Sequence, residues 1–139
     1  MKDINKLVNS YCKSIYNSVQ RKYCGRSNSH SWKNYPAVAI VCTDYSGIYS
    51  RGTSNKANKK FYASTPILLN KLSILGKIGK PSKFCGNKIG YCAEPHAARS
   101  MLIKHSCKLE KLFFSKAQRP RTMEYIKFCK NCKRTFPNL

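Results

Sequence analysis

The sequence predicts an α/β domain, a small mixed β-sheet flanked by helices, and three observations carry that expectation. Near the start, Ile4, Leu7, Val8, Tyr11, Ile15 and Val19 recur at helical spacing. Residues 37–43 (A-V-A-I-V-C-T) form a short, β-branched apolar run that reads as a buried strand. Later, Cys92-Ala93-Glu94-Pro95 opens a stretch in which Ala97, Ala98, Met101 and Leu102 again follow helical spacing. With 139 residues, the chain has enough length for one modest core, so residues 1–139 are expected to form a single domain.

Each element follows from local chemistry. Asp3 is a suitable N-cap, and the first helix should cover about residues 4–24, with Lys2, Lys6, Lys13, Arg21 and Lys22 on its polar side. Residues 26–35 are loop-like, and His30 within them reads as solvated. After the strand at 37–43, Asp44-Tyr45-Ser46-Gly47 makes a turn and 48–53 returns as a hairpin. The polar, basic segment 54–60 (S-N-K-A-N-K-K) is a loop that can face a phosphate backbone. Thr65-Pro66 opens a helix through Leu75, because proline in the first turn gives up no hydrogen bond. The Gly- and Lys-rich segment 76–90 lacks the G-K-[ST] ending of a phosphate cradle and is expected to be a lid or linker. A third strand is expected at 109–114, a break at Arg119-Pro120-Arg121, and a lead-in at 125–128 to the last cysteine pair.

Composition narrows function. Lys and Arg number 27 against 5 Asp and Glu, for a net charge of +22. Such a charge repels itself unless a polyanion answers it, and nucleic acid is the leading partner. With only Asp3, Asp44, Glu94, Glu110 and Glu124 available, paired-carboxylate glycoside chemistry and a carboxylate-lined magnesium site are not expected. Residues 1–7 carry charges and lack an apolar h-region, so no secretory leader is expected there. The longest apolar run, 37–42, is too short to span a bilayer, so no membrane role is expected.

The chemistry concentrates in two motifs: Cys92-x-Glu94 at a helix start, and Cys129-Lys130-Asn131-Cys132 far downstream. Three thiolates beside one non-ligating carboxylate suit a catalytic zinc with an open fourth position. A helix N-terminus favours negative charge on both Cys92 and Glu94. Two other readings stand beside this one. Cys85, Cys92, Cys129 and Cys132 would make a structural zinc site, although the spacing from Cys85 to Cys92 is loose for one. Disulfide, redox or plain core cysteines are the remaining reading for the eight cysteines. Cys12, Cys24, Cys42 and Cys107 have no partner motif and are expected to be small buried apolar residues. His96, one helical turn after Cys92, reads as a supporting polar residue rather than a ligand. Trp32, Tyr35, Tyr45, Tyr49, Phe61 and Tyr62 lie near basic loops where an aromatic ring can stack on a base, though each alone reads as core.

The order Cys-x-Glu, helix, strand, Cys-x-x-Cys resembles the zinc-dependent nucleobase (cytidine) deaminase superfamily. The strings C-A-E-P-H-A-A and C-x-N-C look most like its bacterial polymorphic-toxin branch of the YwqJ type. Phe128 stands where most members place proline before the cysteine pair. The resemblance implies a cytidine-deaminase-like fold, with the strands at 37–53 opening its sheet. Seven residues follow Cys132, so the sheet is expected to be truncated at the C-terminal end, lacking the family's last two strands. It implies Zn2+ held by Cys92, Cys129 and Cys132, Glu94 as the catalytic proton shuttle, and Asn55 as a substrate contact near the ribose. It implies hydrolytic deamination of a nucleobase by a toxin-like enzyme. The charge adds that the substrate is a polymer, since each neutralised phosphate releases counterions. The expectation is therefore cytosine-to-uracil conversion in single-stranded DNA or RNA. An acidic immunity protein and delivery into a target cell's cytoplasm follow from the toxin likeness. The alternative is a non-catalytic, zinc-stabilised basic protein that binds nucleic acid in its own cytoplasm.

Overall fold

A computed structural model of the chain describes residues 3–24 and 31–139, so the expectation for His30 lies outside the described residues. Helix α1 (Ile4–Lys22) is capped by the Asp3 carboxylate, which accepts from the backbone N–H of Asn5 and Lys6. Its buried Val8 and Cys12 pack on Ala39 and Val41 of strand β1 (Ala39–Thr43). Ile40 and Cys42 point the other way, into the main core. Both faces of β1 are therefore covered, and this is why its sequence is apolar throughout instead of alternating.

Strand β2 (Tyr49–Thr53) returns antiparallel, with Thr43 opposite Tyr49 and Ala39 opposite Thr53. The turn between them is closed by the Asp44 carboxylate, which accepts from the Ser46 backbone N–H at 2.9 Å and from the Ser46 hydroxyl, while Gly47 takes a φ of +85°. On the other side of β1 run β3 (Phe113–Phe114) and β4 (Ala117–Gln118). Cys42 pairs with Phe114 and Ala39 with Gln118, so four steps on this side answer three on β1. The two pieces are one strand with a bulge at Ser115-Lys116. Local donors and acceptors repair the ladder there. The Ser115 N–H donates to the Val41 carbonyl at 2.8 Å, and the Ser115 hydroxyl accepts from the Val41 N–H at 2.9 Å. The Lys116 N–H donates to Asn5 Oδ1 on α1 at 2.9 Å.

This corrects the strand expected at 109–114. Leu109–Lys111 is a 3-10 turn, and the strand begins at Phe113 and resumes beyond the bulge. The strand runs past its expected end because the Ser115 hydroxyl stands in for a backbone group across the bulge. Strand β5 (Tyr125–Ile126) pairs antiparallel with β4 and completes the order β2-β1-β4-β5. The expected mixed sheet is also corrected: every strand pair among the described residues is antiparallel. The physical reason is the point of entry. The chain enters β3 beside Thr43, at the end where β1 finishes, and the β4–β5 hairpin then reverses it again.

Helices α2 (Pro66–Leu75), α3 (Ala93–Lys104) and α4 (Lys130–Thr135) contribute to the core on the face opposite α1. The result is three layers with the sheet in the middle. Helix α3 lies backbone-to-backbone on β2. A Cβ on Gly52 would stand 2.4 Å from the Ala97 nitrogen and 2.6 Å from the Ala93 carbonyl oxygen, so only glycine permits the approach. Beside it the buried Ser50 hydroxyl donates to the Ala97 carbonyl at 2.7 Å.

All eight cysteines are free. Cys12 and Cys42 are buried as expected and Cys107 is half-buried, but Cys24 is exposed because α1 ends two residues before it. Among the described residues no helix is long and apolar enough to cross a membrane.

Candidate metal centre

Two helix starts meet over the sheet. Cys92 is the N-cap residue of α3 and Cys129 that of α4, and Cys132 lies in the first turn of α4. Their three sulfurs lie within 4.8 Å of one another, and Cys92 Sγ to Cys129 Sγ is 3.5 Å. Sulfurs around a tetrahedral zinc stand roughly 3.8 Å apart, from a Zn–S bond of about 2.3 Å. The donor set therefore fits a thiophilic ion.

The first half is fixed from two sides. Gly52 and Ser50 dock α3, and the buried Tyr62 hydroxyl donates at 2.5 Å to the carbonyl of Gly90, two residues before Cys92. Gly90 has φ of +84° and its Cα faces the Tyr62 ring, so a side chain there would be strained as well as crowded. The second half is held by hydrogen bonds to the 76–90 segment. Asn131, buried between the two cysteines of α4, donates through Nδ2 to the Asn87 carbonyl at 3.0 Å and accepts from the Ser82 hydroxyl. The Ser82 hydroxyl also accepts from the N–H groups of Phe84 and Cys85. The segment is further tied by Gly79 N–H to the Ile89 carbonyl and Ile89 N–H to the Lys80 carbonyl, both 2.9 Å, with Ile89 buried. Expected as a lid or linker, it is instead a tied wall of the site, built on turn contacts that its Gly/Lys composition does not display.

Electrostatics favour a cation here. Cys129 is held far below the usual thiol range by hydrogen bonds from Cys132 and Cys92, with a further one from the Asn87 side chain. Cys92 and Cys132 are pushed upward, chiefly by their bonds to Cys129. Three sulfurs this close oppose one another's ionisation, a repulsion that a bound cation would relieve. Glu94 is buried, 4% exposed, and burial raises its carboxyl above the ordinary value. The Cys132 thiol donates to Glu94 Oε2 at 3.2 Å, yet Glu94 stands outside the mutually close sulfur set. It is a neighbour of the donor set, as its two-residue offset from Cys92 suggests.

Cys92, Glu94 and Cys129 open onto a cavity of about 410 Å³. Val38, Tyr91 and Ile126 give it apolar walls, and Lys88, Arg119 and Lys127 bring positive charge to it. The remaining expectations fall elsewhere. Cys85 is not in the sulfur cluster, and its Sγ accepts from the Asn87 N–H at 3.4 Å. His96 is turned away from the sulfurs, its Nε2 2.9 Å from the Asn55 carbonyl and its ring beside Phe61 and Tyr62. Asn55 lines a second, outer cavity and not the one over Glu94, and its Oδ1 accepts from the Lys56 N–H at 2.8 Å.

Gly52 and Asn87 are the site-building residues that the sequence reading missed. Of these, only Gly52 carries a sequence signal, a glycine inside a strand pattern, which marks a close backbone approach. No protein-family model, curated protein or solved structure matches the chain.

Proposed function

We propose that the protein is a zinc-dependent hydrolytic deaminase acting on a nucleobase, with cytosine in a single-stranded nucleic acid as substrate. The observation that carries this reading is Glu94: a buried carboxyl beside a three-thiol cluster, outside its donor set, and open to a cavity. A structural metal has no need of such a group, whereas a proton shuttle requires it.

Cys92, Cys129 and Cys132 would hold the ion. Bound there, zinc would supply a Lewis acid that lowers the pKa of water towards neutrality. Glu94 would accept a proton from the attacking water through a carboxylate oxygen, give it to the ring N3 of cytosine, and then carry the proton of the new C4 hydroxyl to the amine, which leaves as ammonia. Water adds at C4 and ammonia leaves, so cytosine becomes uracil with no change of oxidation state. Burial raises the Glu94 carboxyl above its ordinary value, the direction that favours its accepting a proton. Val38, Tyr91 and Ile126 offer a base its apolar faces while Lys88, Arg119 and Lys127 meet phosphate. A protein partner that silences the enzyme would be acidic, opposing the +22 charge, and would cap this cavity.

The test pairs metal analysis with turnover of defined oligonucleotides. The purified chain should hold one zinc, and Glu94→Gln should keep it while losing about 10²–10⁴-fold in uracil formation. An active Glu94→Gln variant, or wild-type protein that makes no uracil on any strand, overturns the reading.

A further inference from the structure

The cavity over Glu94 does not end at its own rim. A second cavity, of about 810 Å³, shares Ala37, Ser54, Tyr91 and Arg119 with it. The two therefore form one groove that runs from the sulfur cluster past Arg119 to Trp32. The groove is lined by six cations, Lys33, Lys56, Lys88, Arg119, Arg121 and Lys127, and by one carboxylate, the buried Glu94. These cations are not neutralised locally, since the one ion-pair contact among the described residues joins His105 to Asp44. Trp32 sits at the far end in the 3-10 turn Trp32–Asn34, capped by the Ser31 hydroxyl. Trp32 is 68% exposed, in contrast to Tyr35 and Tyr62, which are buried in the fold. Lys33 Nζ stands 5.9 Å from the Trp32 ring centroid, so aromatic surface and positive charge coincide.

We propose that this outer groove is a subsite for the nucleotide flanking the reacting base, with Trp32 stacking on the flanking base and Arg119, Arg121, Lys33 and Lys56 receiving the phosphates. It rests on the deaminase reading for the identity of the inner cavity. A ring with an open face binds any base through its π-surface, and surrounding cations track a backbone; together they are what single strands recognise. A free nucleoside fills the inner cavity and leaves the outer one empty. The occupant is thus a strand of at least two nucleotides, and the arginine turn at 119–121 is the bridge between the two subsites.

The chain has one tryptophan, so its fluorescence reports on Trp32 alone. The zinc-loaded full chain carrying Glu94→Gln is titrated with a five-nucleotide oligodeoxycytidylate, with the same strand bearing abasic positions on both sides of the central base, and with heparin. The intact strand should quench the emission, while the abasic strand and heparin should bind with little quenching. By anisotropy of the labelled strand, Trp32→Ala should bind about 5–150-fold more weakly, and Trp32→Phe should recover most of the loss. Equal quenching by heparin, no quenching by the intact strand, or undiminished affinity in Trp32→Ala overturns the proposal. The readout is binding, so quenching without uracil formation by the wild type would sink the deaminase reading and keep the strand subsite. Uracil formation without quenching would do the reverse.

Discussion

The two halves of the cysteine cluster are held to the fold by different means. Cys92 begins a twelve-residue helix pressed against β2, with Gly52, Ser50 and Tyr62 fixing it from below and behind. Cys129 and Cys132 belong to a six-residue helix tied mainly by side-chain amides to the 76–90 wall, with Phe136 just beyond it in the core. A helix that short is not stable by itself. One half of the donor set is thus prepared chiefly by packing, whereas the other would be completed by a metal ion held between the halves. The difference teaches where metal binding would couple to folding: locally, at the second motif.

Removing the metal is the sharpest way to break that comparison. After a strong chelator, amide hydrogens of α4 should lose protection and exchange at close to open-chain rates, while those of α3 and β1 stay protected. Hydrogen exchange read by mass spectrometry checks this; equal loss in α3 and α4 would show the two halves to be one unit. Next in size is Asn87→Ala, which removes the side-chain donor to Cys129 but leaves the carbonyl that Asn131 uses. Metal affinity should fall by about 10–100-fold, measured by competition with a chromogenic chelator, with the circular dichroism unchanged.

Gly52→Ala tests the packed half. A methyl group 2.4 Å from a backbone nitrogen must displace α3, and the loss should be about 1–3 kcal/mol in urea unfolding, the same with and without metal. A loss seen only in the metal-loaded protein would move the effect to the cluster. The smallest effect lies at the far end of β1, in the 44–47 turn. Burial alone would raise the Asp44 carboxyl, but the Ser46 hydroxyl and N–H, with His105 3.4 Å away, outweigh it and lower it below 3.8. Its stabilising contribution is therefore complete above about pH 3.8 and disappears as the pH falls through the lower folded value. Acid should weaken the β1–β2 turn in the wild type more than in Ser46→Ala, as thermal melts across pH 2–5 would show, without altering the relative stability of the two cysteine halves.

What the sequence made legible divides along a physical line. Elements set by periodic burial were readable: α1, the β1–β2 hairpin, α2 and α3 lie within a few residues of where apolar spacing puts them. So was the sulfur cluster, because Cys-x-Glu and Cys-x-x-Cys impose their own spacing. Illegible were features in which a side chain replaces a backbone partner. The Ser115 hydroxyl carries the strand through its bulge, and the Ser82 and Asn131 side chains turn a glycine-rich stretch into a wall. Nothing in the residue types of 115–116 or 81–88 announces which distant group they will meet. Asn55 lies along the outer cavity, with its Oδ1 accepting from the Lys56 N–H, a placement that its position in the loop did not by itself give.

The contact at Gly52 has a consequence for motion. Two backbones that touch cannot slide or separate without breaking the Ser50 bond and opening a void beneath Ala97. The floor that carries Cys92 and Glu94 is for that reason an anvil. In the strand-binding reading proposed above, widening of the groove would come from its opposite side, the 119–124 turn, where Met123 holds a φ of +66° and packs towards α1, and where Gln118, Arg119, Thr122 and Glu124 make the loop's hydrogen bonds. Entry and release of substrate would then be timed by an arginine-bearing turn at the groove's middle, while the reacting end stays still.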